Sequence, residues 1–575
     1  MLSTLPLLIG KKPRPARVRT DEVLPTHFLD DTPGNRSFVL VWTLRFNDVL
    51  DANRLHSSLT RLLEMEGWRK LGGRLRTNSK GKLVIHVPEK FTKDRPAVGY
   101  SHVSFNSSIG AHPLASQLPK VTEGPSIQIG SDKFSSLGMR KGAPSKLDDF
   151  LYSDESLLAL HIVSFQDATL VTISWSHAIS DGMGLRTLVG SWCQVLAGNE
   201  DEVPDFVGAR KDPLEQAIDN PETLGRQRWV HQDTILVGFA FLVFAIRFLW
   251  EMIFGPKTEI KTLFIPRKTI TKLRQNAIAD LDSPGPSSTD EKDVISHNHN
   301  FISKPFISEG DVLTAWMTRC MALTKPPKSN RGVTVINMFE LRGRVPSVFD
   351  PARAYVANLM APTWTLLSIR AITEMPVGHL ASCMRKSIVE QTTEAQALAQ
   401  IRAQKEELGK TGRLPIPGKA GCWLMTFSNW KKMDFFNAVD FSPAVITTGD
   451  NSVTRANKPG TPDYFHCIPL IQNMPARDTL SIMGRDAYGN YWGVGMLNAA
   501  TWRQVEEDLG RLSQCLPNSQ ADYPWIMQRR CPSPEGIPTT LDKPSYKSGS
   551  TTGANRLISG LEDIRPADSR PTRRA

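Results

Sequence analysis

Apolar Val171, Ile173 and Trp175 alternate with polar Thr172, Ser174 and Ser176, the two-residue period of a half-buried strand. A few residues on, Leu188, Val189, Trp192, Cys193 and Leu196 recur at helical spacing, so residues 157–197 read as strand, turn and helix. The same periods predict a strand at 38–42 and an amphipathic helix with Leu55, Leu59, Leu62 and Leu63 on one stripe, ending toward Gly72-Gly73-Arg74-Leu75. A strand follows at 83–85. Residues 101–150 are rich in Ser, Gly and Pro, lack a clear period and read as irregular surface structure, and the polar stretch 198–232 reads as a linker. Farther along, the pattern gives a strand at 262–266, a helix fading near Ala279 and a polar loop at 281–304. A helix then starts near Ser308, with Asp311 placed for its first turn, and runs through Val312, Ala315, Trp316 and Cys320. It is followed by a strand at 333–337, a largely helical stretch at 378–404 and a strand at 422–427. From Cys531 onward Pro, Ser, Thr and Gly dominate, the composition of a disordered tail.

The most hydrophobic segment, 235–254, carries only Arg247 and Glu251 as charges, four apart and able to pair on one helical face. Three placements are open: a buried or tunnel-lining helix, an interfacial helix, or a membrane span that its 20 residues are just long enough to make. Arg247 at mid-membrane costs roughly 2.5–3.5 kcal/mol, less near an end where it can snorkel. A single span also puts the two halves of the chain on opposite sides of a membrane, which is incompatible with one site built from both.

The 575 residues exceed what one core comfortably fills, so two domains are expected. Lys and Arg number 69 against 58 Asp and Glu, a net charge of +11, of which 529–575 hold +4. Another basic cluster, Lys11, Lys12, Arg14, Arg17 and Arg19, lies near the start. The rest is spread out and suits anionic small molecules or a membrane surface. Without zinc-finger spacing, an aromatic-basic RNA signature or a sustained basic helix, nucleic acid is not the expected partner. Seven scattered cysteines, none with metal-ligand spacing, point to a reduced compartment. The apolar run 2–9 precedes its positive charges, the wrong order for a secretory signal, so a cytoplasmic location is expected, with peripheral contact to an intracellular membrane as a variant.

The stretch that concentrates chemistry is His177-Ala178-Ile179-Ser180-Asp181-Gly182. A chain with 12 His contains about 0.6 His-x-x-x-Asp matches by chance, and requiring the following Gly lowers that to about 0.04. A strand that delivers a histidine onto a Gly-containing turn is a sensible seat for a general base, although a satisfied core histidine at a strand end is the plainer alternative. No phosphate-binding Gly-Lys-Ser loop and no Gly-x-Ser-x-Gly elbow occurs.

With these pieces in order, residues 22–515 resemble the BAHD acyltransferases, and more closely their fungal secondary-metabolism branch. His177 to Gly182 matches the family's His-x-x-x-Asp-Gly, 55–75 its helix closing on Gly-Arg-Leu, and Asp311-Val312-Leu313-Thr314-Ala315-Trp316 its Asp-Val-Leu-x-Ala-x helix start. Leu341-Arg342-Gly343-Arg344 and Tyr355-Val356-Ala357-Asn358 sit where the family has an arginine segment and a Gly-Asn. Ser428-Asn429-Trp430 and Asp440-Phe441 parallel its Ser-x-Trp and Asp-Phe-Gly-Trp-Gly, but Ser442-Pro443-Ala444 replaces Gly-Trp-Gly.

The resemblance implies an α/β protein of two chloramphenicol-acetyltransferase-like domains with the active site in a channel between them. Its parts are a basic leader (1–21), an N-terminal domain (22–215), a crossover (216–260), a C-terminal domain (261–528) and a disordered tail (529–575). It implies acyl transfer, most simply acetyl from acetyl-CoA or another acyl-CoA co-substrate to a hydroxyl of an apolar small molecule, by a monomer with no permanently bound cofactor and no metal. His177 is then the general base in direct attack, and Asp181 supports the loop through an arginine, a direct Asp–His dyad being the alternative. Gly182 and Gly184 serve the turn, with positive φ as the expected reason. Arg342 pairs with Asp440, while Ser428, Trp430 and Asp440 border the donor and Lys431 and Lys432 reach CoA phosphates, solvated lysines being as good a reading. An acyl donor on a carrier protein, as in condensation domains, is a rival, although Ser176 stands where those domains carry a first histidine. Amide formation on an amine, and a membrane-associated binding protein that lost catalysis, remain the other readings.

Overall fold

The strand foreseen at 171–176 is Thr169–Ser176, and all of it is buried, polar positions included. The reason is its central place: it pairs antiparallel with Phe38–Phe46 on one side and with Leu158–Ser164 on the other, and both faces are covered. Its inward Thr172 is satisfied by the Thr43 hydroxyl at 2.9 Å, so burial leaves that hydroxyl paired. The computed structural model in which this is seen describes residues 13–220, 227–282, 306–449, 452–471 and 476–514. Nearly all of the expected loop 281–304, and the expected tail 529–575, lie outside the described residues.

Two larger sheets organise the described residues, which belong to one compact unit. The first has the order Tyr464–Ile471, Phe38–Phe46, Thr169–Ser176, Leu158–Ser164, Gly99–Ser104, antiparallel except for its last pair. The second has seven strands: Met360–Ser368, Gly332–Glu340, Trp423–Asn429, Thr479–Arg485, Tyr491–Asn498, Thr258–Ile265 and Ser126–Ile129. Its two parallel pairings flank Trp423–Asn429. The helices Ala52–Leu62 and Gly182–Ala197 share the first core, where Trp192 donates to the Leu55 carbonyl and the Ser58 hydroxyl. Glu309–Leu323 and Val377–Gln391 share the second core. Glu309–Leu323 starts with a capping box in which Ser308 and Asp311 satisfy each other's backbone N–H. Arg385 of the neighbouring helix pairs with Asp311.

The chain crosses the expected 216–260 division twice. Tyr464–Ile471 from the second half adds to the edge of the first sheet, and Ser126–Ile129 from the first half adds to the edge of the second. The stretch 101–150, expected to be irregular throughout, thus contains a strand. It is a half-buried edge strand of four residues, too short to show a period. The expected linker also holds a helix, Pro213–Asp219, capped by Asp212.

The hydrophobic segment forms the helix Gly238–Phe254. Neither a buried helix nor a span describes it. Only Phe244 is buried, seated with Leu236 and Cys422, while Phe239, Leu242, Ile246, Leu249, Trp250, Ile253 and Phe254 are exposed. Arg331 pairs with Glu251 at 2.6 Å, and Arg477 donates to the Glu251 carbonyl, which anchors the far end. Among the described residues no helix is long and apolar enough to cross a membrane.

Candidate active site

The buried strand Thr169–Ser176 ends by presenting His177. The His177 N–H donates to the Phe38 carbonyl at 2.9 Å, so the residue is tied to the neighbouring strand, and Phe38 meets the imidazole edge-on. The Trp175 indole N–H donates to the Ser180 carbonyl at 3.0 Å and closes the turn from beneath. His177 keeps partial exposure, whereas its Nδ1 is enclosed with no hydrogen-bond partner among the described residues. Burial lowers its pKa below the usual imidazole value, against the opposing pull of its own carbonyl, Asp181, the Asn358 side chain and Asp30.

Asp181 faces the other way. It is the N-cap of Gly182–Ala197, its Oδ1 accepting from the Gly184 N–H at 2.7 Å. Its Oδ2 accepts from the Leu359 N–H at 2.7 Å and from Arg342 Nη1 at 3.2 Å. Arg342 also donates to the carbonyls of Tyr355 and Ala357 and lies 3.7 Å from Glu340. A single carboxylate therefore starts a helix of the first half and clamps residues 355–359 of the second onto the histidine turn. In that clamped segment Asn358 donates from Nδ2 to the His177 carbonyl at 2.6 Å.

Gly182 and Gly184 both have negative φ, so the expected left-handed turn is not their reason. Crowding is: a Cβ on Gly182 sits 2.7 Å from the Met433 sulfur and 3.0 Å from Trp42, and one on Gly184 sits 2.2 Å from the Ser180 hydroxyl.

Trp430 stacks on Trp42 at 4.8 Å and donates to the Ser428 hydroxyl at 2.6 Å. With Met433 over Gly182, the segment 428–433 reaches the start of the motif helix. Asp440 does not join it. Arg342 is already satisfied by Asp181, Glu340 and two carbonyls, so the expected Arg342–Asp440 pair is absent. Asp440 is exposed and closes a turn onto the Ser442 N–H, with its own N–H near the Cys193 sulfur. Cys193 is about 16 Å along the helix from Gly182, counted at 1.5 Å per residue. Beyond Trp430 a polar cleft of about 360 Å³ is lined by Arg267, Lys431 and Arg485 together with Asp434 and Asp486. Lys431 also pairs with Glu309 at 3.2 Å. Among the described residues no group of three His, Cys, Asp or Glu side chains is arranged to hold a metal ion.

Not foreseen from the sequence are Asp30 and Lys70, both buried. Asp30 accepts from the Asn358 N–H at 2.7 Å and Nδ2 at 2.9 Å, and burial raises its pKa. Burial lowers Lys70 to about 8 against the attraction of Asp30 and Asp212. A Lys in the Trp-Arg-Lys-Leu-Gly run and an Asp in a polar Asp-Asp pair look like solvated charges, so local sequence carried no signal for either.

Residues 146–444 match the family model described as Transferase family. The chain is 37% identical to O-acetyltransferase PaAT-2 of Phomopsis amygdali over 86% of its own length and 99% of that protein. It is 34% identical to acetyltransferase pyiB of Pyricularia grisea over 86% of its own length and 95% of that protein. The crystal structure of F. sporotrichioides TRI101 complexed with coenzyme A and T-2 shares the fold, with a TM-score of 0.58 at 13% identity over 85% of this chain and 98% of that one.

Proposed function

Because this chain belongs to the Transferase family of BAHD-type acyltransferases, and is an acyltransferase, we propose that it moves acetyl from acetyl-CoA to a hydroxyl of an apolar small molecule with His177 as the base. The observation that carries the reading is the histidine turn itself. An imidazole with one nitrogen enclosed is held at a strand end, and the acid four residues on is committed to a helix cap and an arginine. The relatives, an O-acetyltransferase and an acetyltransferase, supply the acetyl group and the oxygen acceptor.

With Nδ1 enclosed, Nε2 takes the acceptor's hydroxyl proton as the oxygen attacks the thioester carbonyl. The tetrahedral intermediate collapses, the C–S bond breaks, and the imidazolium returns its proton to the CoA thiolate. Asp181 takes no part in the proton transfer: its oxygens are engaged by Gly184, Leu359 and Arg342, and its role is to hold the two halves of the site in register. Ser428 and Trp430 border the donor side, and Arg267, Lys431 and Arg485 in the adjoining cleft suit its phosphates. The described cysteines are free, in keeping with a reducing compartment.

The purified protein, incubated with acetyl-CoA and an extract of apolar hydroxylated metabolites, is expected to release CoA thiol and leave one acceptor heavier by an acetyl group. Thiol release without an acylated product, or no reaction with any thioester, overturns the reading. Since burial lowers the pKa of the base, it is neutral and competent at neutral pH. The rate is expected to hold down to the usual imidazole value of about 6.5 and to fall only as pH drops through the lowered one. A pH–rate profile that falls above that value contradicts the assignment.

The exposed face of Gly238–Phe254 favours a second, spatial reading: the enzyme works against an anionic lipid surface, where an apolar acceptor partitions. Seven large apolar side chains lie on that face, and beside it stand Arg247, which pairs with Glu251 at 3.7 Å, Lys257 just past the helix, and Arg413 stacked over Phe241, a basic excess. The protein is expected to float with phosphatidylcholine vesicles containing phosphatidylserine and to lose that binding on Leu249→Asp with Trp250→Asp. Failure to bind, or a concentration-dependent dimer dissolved by the same substitutions, overturns the lipid assignment.

A further inference from the structure

Next to the histidine turn five polar residues from four distant segments are gathered, four of them buried and Asp212 partly so. Asp30 and Asn358 are 2% and 3% exposed, and Lys70 is 4% exposed. Asp30 sits in the turn after the strand Glu22–Pro25, where its Oδ2 accepts from the His27 N–H at 2.9 Å. Its Oδ1 takes both donors of Asn358, the backbone N–H and the Nδ2, and that same Nδ2 continues to the His177 carbonyl. His27 bonds the Gly208 carbonyl at 2.6 Å through Nε2, and its Nδ1 lies 4.0 Å from Asp212. Lys70 reaches the same Gly208 carbonyl at 3.5 Å.

A buried charge is costly unless its partners repay its lost hydration. Asp30 accepts three hydrogen bonds, two of them to one residue, and that residue's remaining bond goes to the main chain of the histidine. An amide bonded in this way has its rotamer fixed by the carboxylate, so the carbonyl it grips cannot rotate freely.

We propose that Asp30 is a positioning residue for the catalytic base: acting through Asn358, it fixes the His177 carbonyl and with it the orientation of the imidazole. The inference rests on the reading of His177 as the base. The charged groups around that ring are Asp30 and Asp181, with Lys70, His27 and Asp212 behind the first and Arg342 and Glu340 behind the second. Asp30 lies on the side that favours the imidazolium, so removing its charge lowers the ring's titration midpoint as well as loosening it.

The test uses the full chain with Asp30→Asn, Asn358→Ala and both together. Two readouts are followed: acetyl-CoA-dependent thiol release with water or the extract as acceptor, and the pH dependence of His177 carbethoxylation by diethyl pyrocarbonate, read by peptide mass spectrometry. Asp30→Asn is expected to cut kcat about 10- to 100-fold, the scale of a misplaced catalytic group, with KM for acetyl-CoA unchanged. It is also expected to move the His177 midpoint down, and to have little further effect on kcat once Asn358 is alanine. Additive effects on kcat, or an unchanged kcat and midpoint in Asp30→Asn, overturn the proposal. Should Asp30→Asn not fold, Asn358→Ala alone decides, since it removes only the connecting amide and must still lower kcat at constant KM. Should His177→Ala retain transfer, the base assignment fails instead, and the carbethoxylation midpoints still report whether Asp30 governs the ring.

Discussion

Replacing His177 by alanine is expected to lower kcat for acetyl transfer by about 10²–10⁴-fold while leaving acetyl-CoA binding intact. The size follows from what the ring supplies. An alcohol near neutral pH is a poor nucleophile, and a positioned base removes its proton as the C–O bond forms. The structure gives no substitute in the same place. Asp181 is spent on the helix cap and on Arg342, Ser176 is buried, and Asn358 has donated its amide hydrogens. Stability is expected to change by no more than about 1 kcal/mol, because the side chain is partly exposed and bonds to its neighbours through its main chain. Steady-state thiol release with calorimetric titration of CoA separates the two quantities. A variant that binds CoA and still transfers within about tenfold of the parent rate would remove the imidazole from the chemistry.

The second large effect is on folding. Asp181→Ala removes a carboxylate that is 1% exposed and leaves Arg342 facing Glu340 alone, at 3.7 Å. Deleting one partner of such a buried pair costs about 3–5 kcal/mol, and the lost N-cap of Gly182–Ala197 adds about 1 kcal/mol. The expected result is a lower urea midpoint with an unchanged m-value, together with loss of activity, since residues 355–359 lose their hold on the histidine turn. Asp181→Asn keeps an oxygen for Gly184 but gives up the charge opposite Arg342, and should fall between. A drop below about 1 kcal/mol in the alanine variant means that the clamp is not what joins the segments.

How far the sequence reveals this arrangement depends on separation along the chain. His177, Asp181 and the helix after them are legible because strand alternation, an N-cap and a helical stripe all act within about 20 residues. Arg342 and Asn358 are findable only through a resemblance, which points to the segments and to an arginine at Asp181 without saying which arginine. It assigns Arg342 to Asp440, and packing gives it to Asp181 instead. Asp30 leaves no trace, because its partner Asn358 is 328 positions away and nothing near Asp30 distinguishes it from a surface acid. The hydrophobicity of Gly238–Phe254 is obvious in the sequence, yet hydrophobicity alone does not tell a core from an uncovered surface. The answer comes from Leu236 and Cys422 burying just one of its large side chains, Phe244, with Phe241 only partly covered beside it. The strand Ser126–Ile129 is missed for a similar reason: an edge needs only four residues and a neighbour, and the neighbour, Thr258–Ile265, lies more than 100 residues away.

The strand Tyr464–Ile471 sets a timetable for biosynthesis. Phe38–Phe46, whose residues 39–44 are all buried in the finished protein, waits for this partner while roughly 420 residues are translated, about 20–80 seconds at ~5–20 residues per second. Throughout that interval the nascent chain displays an apolar strand with a free hydrogen-bonding edge, a surface on which chaperones and other unfinished chains compete. A ribosome that stops short of residue 471 therefore releases a chain whose histidine motif is complete but whose first sheet is not. Expression of the first half alone is expected to give aggregate rather than a working fragment.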